Sequence, residues 1–233
     1  MGEASIEESL ESDNITYGDF PTYSEEMSYV SADVATFSKE ELGKLKNQEY
    51  VITDDTILTS TYKDTFNIKD SKGDYRFATF LSDYVPHGEE YLLWEVVEEN
   101  QFAIFFQKVD DYPIYFNYNA MLTIYWDEKG NITNYEQQRF GEFDNFNKKK
   151  DILSPLDVIN TLYSRDYLEK NSTVEKISLG YSTLLTLKKT QVFAPTWRVR
   201  VELKNGDFVD HFVNAIEGKI VDFQSEFIEP EEE

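Results

Sequence analysis

Ser154-Pro155-Leu156-Asp157-Val158-Ile159-Asn160-Thr161-Leu162-Tyr163 is the stretch on which the fold turns. Ser154 suits a helix N-cap, because its side-chain oxygen can accept from an amide that the first turn leaves unpaired. Pro155 suits the first helical position, where no amide is needed. Asp157 favours the positive end of the helix dipole. Leu156, Ile159, Leu162 and Tyr163 recur at helical spacing. The pattern predicts a helix of about 14 residues from Pro155, ending before Asn171.

The chain beyond this helix changes style. Val174 to Leu187, Trp197 to Leu203, Phe208 to Asn214 and Lys219 to Phe223 are strand-like. Lys204-Asn205-Gly206-Asp207 holds an Asn-Gly hairpin turn, and Glu217-Gly218 marks the next turn. Connections this short imply antiparallel neighbours. One helix succeeded by an antiparallel run is α+β patterning.

Upstream the same style recurs. Ser5-Ile6-Glu7-Glu8 and Ser38-Lys39-Glu40-Glu41 are capping boxes, each opening a short helix. Glu49 to Leu58, with a break at Thr53-Asp54-Asp55, reads as strand. So do Tyr75 to Phe80, Gln101 to Gln107, Ile114 to Asn119, Ala120 to Trp126 and Ile132 to Arg139. Asp127-Glu128-Lys129-Gly130-Asn131 is a turn with Gly130 at positive φ. Gly130-Asn131-Ile132-Thr133-Asn134-Tyr135 echoes Gly218-Lys219-Ile220-Val221-Asp222-Phe223, with Gly, Ile and an aromatic at the same offsets. Duplication of a sheet unit and chance both account for the echo. The polar run Asn145 to Asp151 is the boundary candidate. The expectation is two α+β domains, 1–150 and 151–233, each an antiparallel sheet with a packed helix and a repeated sheet unit.

Composition limits function. The chain has 233 residues and a formal net charge of -23, with 45 acidic against 22 basic side chains. Such a polyanion argues against nucleic acid, whose phosphates need clustered Lys and Arg. Residues 1–150 carry 30 acidic and 13 basic side chains, so the first part is the more repulsive one. No apolar run approaches the ~18 residues of a spanning helix. There is no cysteine, so disulfides, thiolate metal sites and cysteine nucleophiles are excluded.

Candidate chemistry is thin. His87 lies between Pro86 and Gly88 and reads as an exposed turn residue, and His211 sits in a strand pattern. No HExxH, GxSxG, phosphate loop or calcium loop is present. The acidic pairs Asp54-Asp55, Glu89-Glu90, Glu98-Glu99 and Asp110-Asp111 are raw material for acid/base work. With this many carboxylates, adjacent pairs arise by composition alone. The sequence names no catalytic, metal or cofactor residue. Its densest aromatic stretch is Tyr112-Pro113-Ile114-Tyr115-Phe116-Asn117-Tyr118. It reads as a core strand with one half-exposed face, or as a protein-interaction surface through Tyr112, Tyr115 and Tyr118.

Several runs resemble the YycI family: Ala194-Pro195-Thr196-Trp197-Arg198-Val199 with Val213-Asn214-Ala215-Ile216-Glu217-Gly218, and, earlier, Ser5-Ile6-Glu7-Glu8-Ser9-Leu10, Asn14-Ile15-Thr16-Tyr17 and Phe37-Ser38-Lys39-Glu40-Glu41-Leu42. The likeness extends along the whole chain and rests on combined order and spacing. It implies an α+β extracytoplasmic domain of a Firmicutes membrane protein, anchored by an N-terminal transmembrane helix that this chain lacks. It implies a non-enzymatic regulator that works with a YycH-type sister to adjust the WalK (YycG) sensor histidine kinase of cell-wall metabolism. A homodimer is a further possibility under this reading. The alternative is a sensor binding a wall fragment or a cation in an interdomain cleft. The resemblance carries over no catalytic residue and no cofactor.

Overall fold

The computed structural model describes residues 4–223. In chain order the elements are α1 (Ile6–Ser12), β1 (Thr16–Tyr17), β2 (Glu26–Asp33), α2 (Lys39–Gly43), β3 (Gln48–Thr53), β4 (Ile57–Tyr62), α3 (Phe77–Tyr84), β5 (Tyr91–Val97), β6 (Phe102–Val109), β7 (Tyr112–Pro113), β8 (Met121–Trp126), β9 (Ile132–Gln137), β10 (Asp144–Asp151), α4 (Pro155–Ser164), β11 (Thr173–Leu187), β12 (Thr190–Glu202), β13 (Phe208–Asn214) and β14 (Ile220–Val221). Two sheets carry the α+β fold. One runs β1-β11-β12-β13-β14, with β2 on β12 and β10 on β2. The other runs β3-β4-β9-β8-β6-β5, with β7 on β6.

The chain forms two compact units. The first takes the chain up to Val30, Asn145–Leu184 and the chain from Phe193; the second takes Ser31–Asp144 and Leu185–Val192. Packing thus divides the chain differently from the contiguous split at 150, since the N-terminal residues join the C-terminal segments. The reason is non-local pairing. β1 lies parallel to β11, with Thr16 against Thr173 and Tyr17 against Val174. Asp13 accepts from the Tyr163 hydroxyl at 2.9 Å and pairs with Lys170 at 2.8 Å.

Both expected capping boxes form, and the N-cap at Ser154 makes a third. Ser5, Ser38 and Ser154 each accept from the N3 amide, and Glu8, Glu41 and Asp157 reach back. α4 is shorter than the periodicity predicts. It stops at Ser164 because Asp166 turns left-handed at φ 63. The Asp166 and Tyr167 amides then close onto the Tyr163 and Leu162 carbonyls, the bond pair of a Schellman stop. The helix buries Val158, Ile159 and Leu162 completely.

Two expected strands are something else. Tyr75 to Phe80 is mostly helix: Phe77, Phe80, Leu81 and Tyr84 recur at i, i+3, i+4 and i+7 on α3. Phe77, Phe80 and Leu81 enter the core of the second unit beside Leu58, Phe105, Leu122, Ile124 and Tyr135, and Tyr84 packs against it. Ile114 to Asn119 is not a continuous strand either. β7 ends at Pro113, Phe116 takes φ 46, and the Asn117 side chain accepts from the Asn119 amide at 2.9 Å, opening a 3-10 turn. The boundary candidate Asn145 to Asp151 is itself strand, falling in β10, and every residue of β10 is exposed.

The expected turns hold. Gly130, Gly206 and Gly218 take φ 81, 88 and 71. The echo has a topological counterpart: α3 precedes β5, β6, β8 and β9, and α4 precedes β11, β12, β13 and β14. Each set is arranged in the sheet in its order along the chain. Gly130 and Gly218 both stand in the turn before the fourth strand of their set.

Candidate functional site

The second unit holds the most developed polar constellation, and it grows from the second capping box. Ser38 accepts from the Glu41 amide at 3.1 Å, and Glu41 Oε2 accepts from the Ser38 amide at 2.8 Å. The other carboxylate oxygen of Glu41 meets His87 Nε2. His87 stands at φ 54 between α3 and a 3-10 turn, with Nδ1 3.4 Å from Glu90. Glu90 in turn accepts from Arg139 Nη2 at 2.9 Å and Nε at 3.2 Å, and from Gln107 Nε2 at 3.0 Å. Gln107 is buried and also bonds both backbone groups of Phe140. Segments from α2 to Phe140 are thereby joined, in part through charge-assisted bonds, the stronger class of hydrogen bond.

The loop that carries His87 is pinned from behind. Gln48 donates to the Tyr84 carbonyl at 2.6 Å, and Gln137 donates to the Pro86 carbonyl at 2.7 Å. Gly88 is obligatory here: a Cβ would stand 2.0 Å from the Leu81 carbonyl oxygen. In front lies a cleft of about 290 Å³, lined by Glu41, Lys44, Leu45, Lys46, Asp83 and the segment from Tyr84 to His87. Burial works against ionisation of Glu41. The Ser38 amide, His87 and the Ser38 hydroxyl outweigh it and hold the carboxyl at about 2.

The other histidine lies in the first unit. His211 on β13 meets the Tyr167 ring edge-on at 5.7 Å, in a cleft of about 260 Å³ lined also by Val209, Asp210, Phe212, Ile220, Val221 and Asp222. Burial pushes the imidazole pKa down, opposed by the Asp210 charge. Asp210 itself pairs with Arg198 at 2.9 Å.

The acidic pairs separate into unrelated roles. Asp54 and Asp55 are both left-handed and make the β3–β4 turn, and Asp110 is left-handed in the β6–β7 turn. Glu90 joins the His87 network, and Glu98 pairs with Lys69 at 2.7 Å and with the Tyr75 hydroxyl. Among the described residues no group of three or more His, Cys, Asp or Glu side chains could hold a metal ion.

The three tyrosines read as a partner surface do not share one exposed face. Tyr118 is half exposed at 51 %, Tyr112 is half-buried, and Tyr115 is buried. Tyr115 meets the Trp94 ring edge-on at 5.8 Å. Trp94 stacks on Phe106 at 4.7 Å, and Phe116 meets both rings. Tyr115 lies just before the break at Phe116. Sequence reasoning missed the His87 network, because Glu41 already had a role as a capping residue and Pro-His-Gly looked like an open turn.

A model of the YycI protein family matches residues 2–216. The chain belongs to the YycI family. The YycI family is a membrane-associated regulatory family linked to the YycG/WalK kinase system, and it is not known as an enzymatic one. Among the described residues no helix of this YycI-family chain is long and apolar enough to cross a membrane. No curated protein matches the chain. A crystal structure of an uncharacterized protein from Eubacterium rectale ATCC 33656 is similar, with a TM-score of 0.52 and 14 % identity over 91 % of this chain and 92 % of that one. At that identity the likeness concerns the fold alone.

Proposed function

We propose that this chain is a non-enzymatic extracytoplasmic regulatory domain. With a YycH-type sister protein it modulates the WalK/YycG sensor histidine kinase, which controls cell-wall metabolism. The observation that carries the reading is the family match over nearly the whole chain. In this reading the domain is held at the membrane by an N-terminal helix outside this chain. It biases two states of the kinase by binding them unequally. Tyr112 and Tyr118 remain candidate partner contacts, Tyr115 being withdrawn by burial. A second copy of the chain is a further partner.

Calorimetric titration against the soluble domain of the sister protein is the test, with light scattering for stoichiometry. A defined complex that weakens on Tyr118→Ala is the expected result. No heat and no mass change at high concentration would remove the soluble domain from partner recognition.

The cleft beside His87 favours a second reading, a sensor for a small polar ligand such as a wall fragment. A ligand that binds only the folded state raises its stability. A melt screen of wall fragments with no shift in any of them would end this reading.

A further inference from the structure

The last four residues of β11 form an unusual edge. Leu184, Leu185, Thr186 and Leu187 are all exposed, and the three leucines stand 46 %, 49 % and 55 % open. β11 has two neighbours, β12 and β1, and β1 reaches only Thr173 and Val174. Among the described residues no strand pairs with Leu184–Leu187 on the side away from β12. The start of β12 is tied down instead. Thr190 bonds Asp33, and Gln191 bonds Asn117 at 2.7 Å and Asn119 at 3.0 Å.

Natural sheets blunt open edges with charge, proline or bulges. Leu184–Leu187 carries no charge, no proline and no glycine, in a chain whose residues are 29 % charged. Uncharged segments of high strand propensity are the ones that pair with others of their kind. A lipid surface fits poorly, because hydrocarbon would strand the unpaired amides and carbonyls of the edge. A strongly charged partner finds nothing here to match. A second copy does. In antiparallel pairing about a two-fold axis, with Leu185 opposite Leu185 of the other copy, Leu184 meets Thr186 and Leu187 meets Thr183. No like charges are opposed.

We infer that Leu184–Leu187 is a self-pairing edge through which two copies of this chain join their sheets. The inference deepens only the second-copy contact named above; the kinase role stands or falls separately. A four-residue strand pair falls well short of the roughly 1,200–2,000 Å² of a stable interface, so association is weak and depends on concentration. Each copy carries a net charge of -23, so added salt, which screens that repulsion, strengthens association.

Sedimentation of the full chain from micromolar to millimolar concentration, at low and high salt, tests this. The expected mass rises from 27.3 kDa toward twice that value, more steeply at high salt. The double variant Leu185→Lys/Leu187→Lys weakens association at least tenfold with an unchanged melt. The chain has no cysteine, so Leu185→Cys supplies a second readout. It forms a disulfide-linked dimer at least tenfold faster than Val51→Cys, which is 63 % exposed on the edge strand β3. A constant monomer mass, equal association of the lysine variant, or equal cross-linking of the two cysteine variants overturns the inference. Binding to anionic vesicles without self-association also overturns it, in favour of lipid.

Discussion

The two histidine clefts are nearly equal in volume, about 290 and 260 Å³, but they hold their histidines differently. In the second unit His87 stands between Glu41 and Glu90, with Arg139 behind, and its loop is pinned through the Tyr84 and Pro86 carbonyls. In the first unit His211 lies against an aromatic ring, and burial disfavours its charged form. One histidine belongs to a network of charges, while the other is packed as an aromatic. Residue type alone therefore does not mark a site. The number of oriented partners does, and by that measure the His87 cleft is the built one.

The contrast is tested most severely at Gly88. A Gly88→Ala methyl meets the Leu81 carbonyl oxygen at 2.0 Å, so backbone must move. The expected loss is about 3 kcal/mol or more, in the range where strain and overpacking dominate. Gly206→Ala, at φ 88 with open space around it, loses only about 1 kcal/mol. Urea denaturation of both variants checks this, and equal losses would mean that the His87 loop yields without cost.

Next in size is the loss of one cation from each unit. The Arg139 side chain is 11 % exposed and makes three bonds to Glu90, which also accepts from Gln107. Arg139→Ala leaves that carboxylate short of partners and is expected to cost about 2–4 kcal/mol. Arg198→Ala removes the Asp210 partner, but Arg200 remains 3.8 Å from that carboxylate, so about 1–2 kcal/mol is expected. Denaturant midpoints at fixed pH rank the two, and the reverse order would undo the contrast.

Effects of pH separate the clefts by window. The Glu41 carboxyl is held at about 2 in the folded chain against an ordinary 4.5. Between those values the unfolded chain binds more protons, so stability falls as pH drops from 4.5 toward 2. The His211 pKa lies below its ordinary 6.5. The unfolded chain again binds the extra proton, so stability falls as pH drops through 6.5 and is fully present above it. Thermal melts across pH should show Glu41→Gln flattening the lower slope and His211→Phe the upper one. A His211→Phe curve with the wild-type slope near 6.5 would show that His211 is not desolvated on folding.

Much of this architecture was legible locally. The capping boxes at Ser5 and Ser38, the left-handed glycines 130, 206 and 218, and the capped helix at Pro155 depend on residues within a few positions of one another. Errors arose where a short window was ambiguous. Tyr75 to Phe80 is aromatic enough for a strand, and only Leu81 and Tyr84 complete the helical period of α3. At Tyr112 to Tyr118 the composition suited a strand, but the left-handed Phe116 breaks it, and Tyr115 is buried. Of the candidate site, His87 and Glu41 were each visible, but nothing joined positions 46 residues apart.

By itself the sequence determined the class of the protein: α+β elements, antiparallel hairpins, an acidic surface, no thiol chemistry and membership of the YycI family. The structural ones stem from local sterics, hydrogen-bonding capacity and composition, which act at short range along the chain, and the family likeness rests on the order and spacing of runs along its whole length. Tertiary structure alone decided that the N-terminal residues join the C-terminal unit, that Tyr115 is buried, that Glu41 faces His87, and that Leu184–Leu187 is left without a strand partner on one side. Each of these is a pairing between segments far apart in sequence, set by whichever long-range contacts bury the most surface and satisfy the most polar groups together. No short window of residues contains that competition.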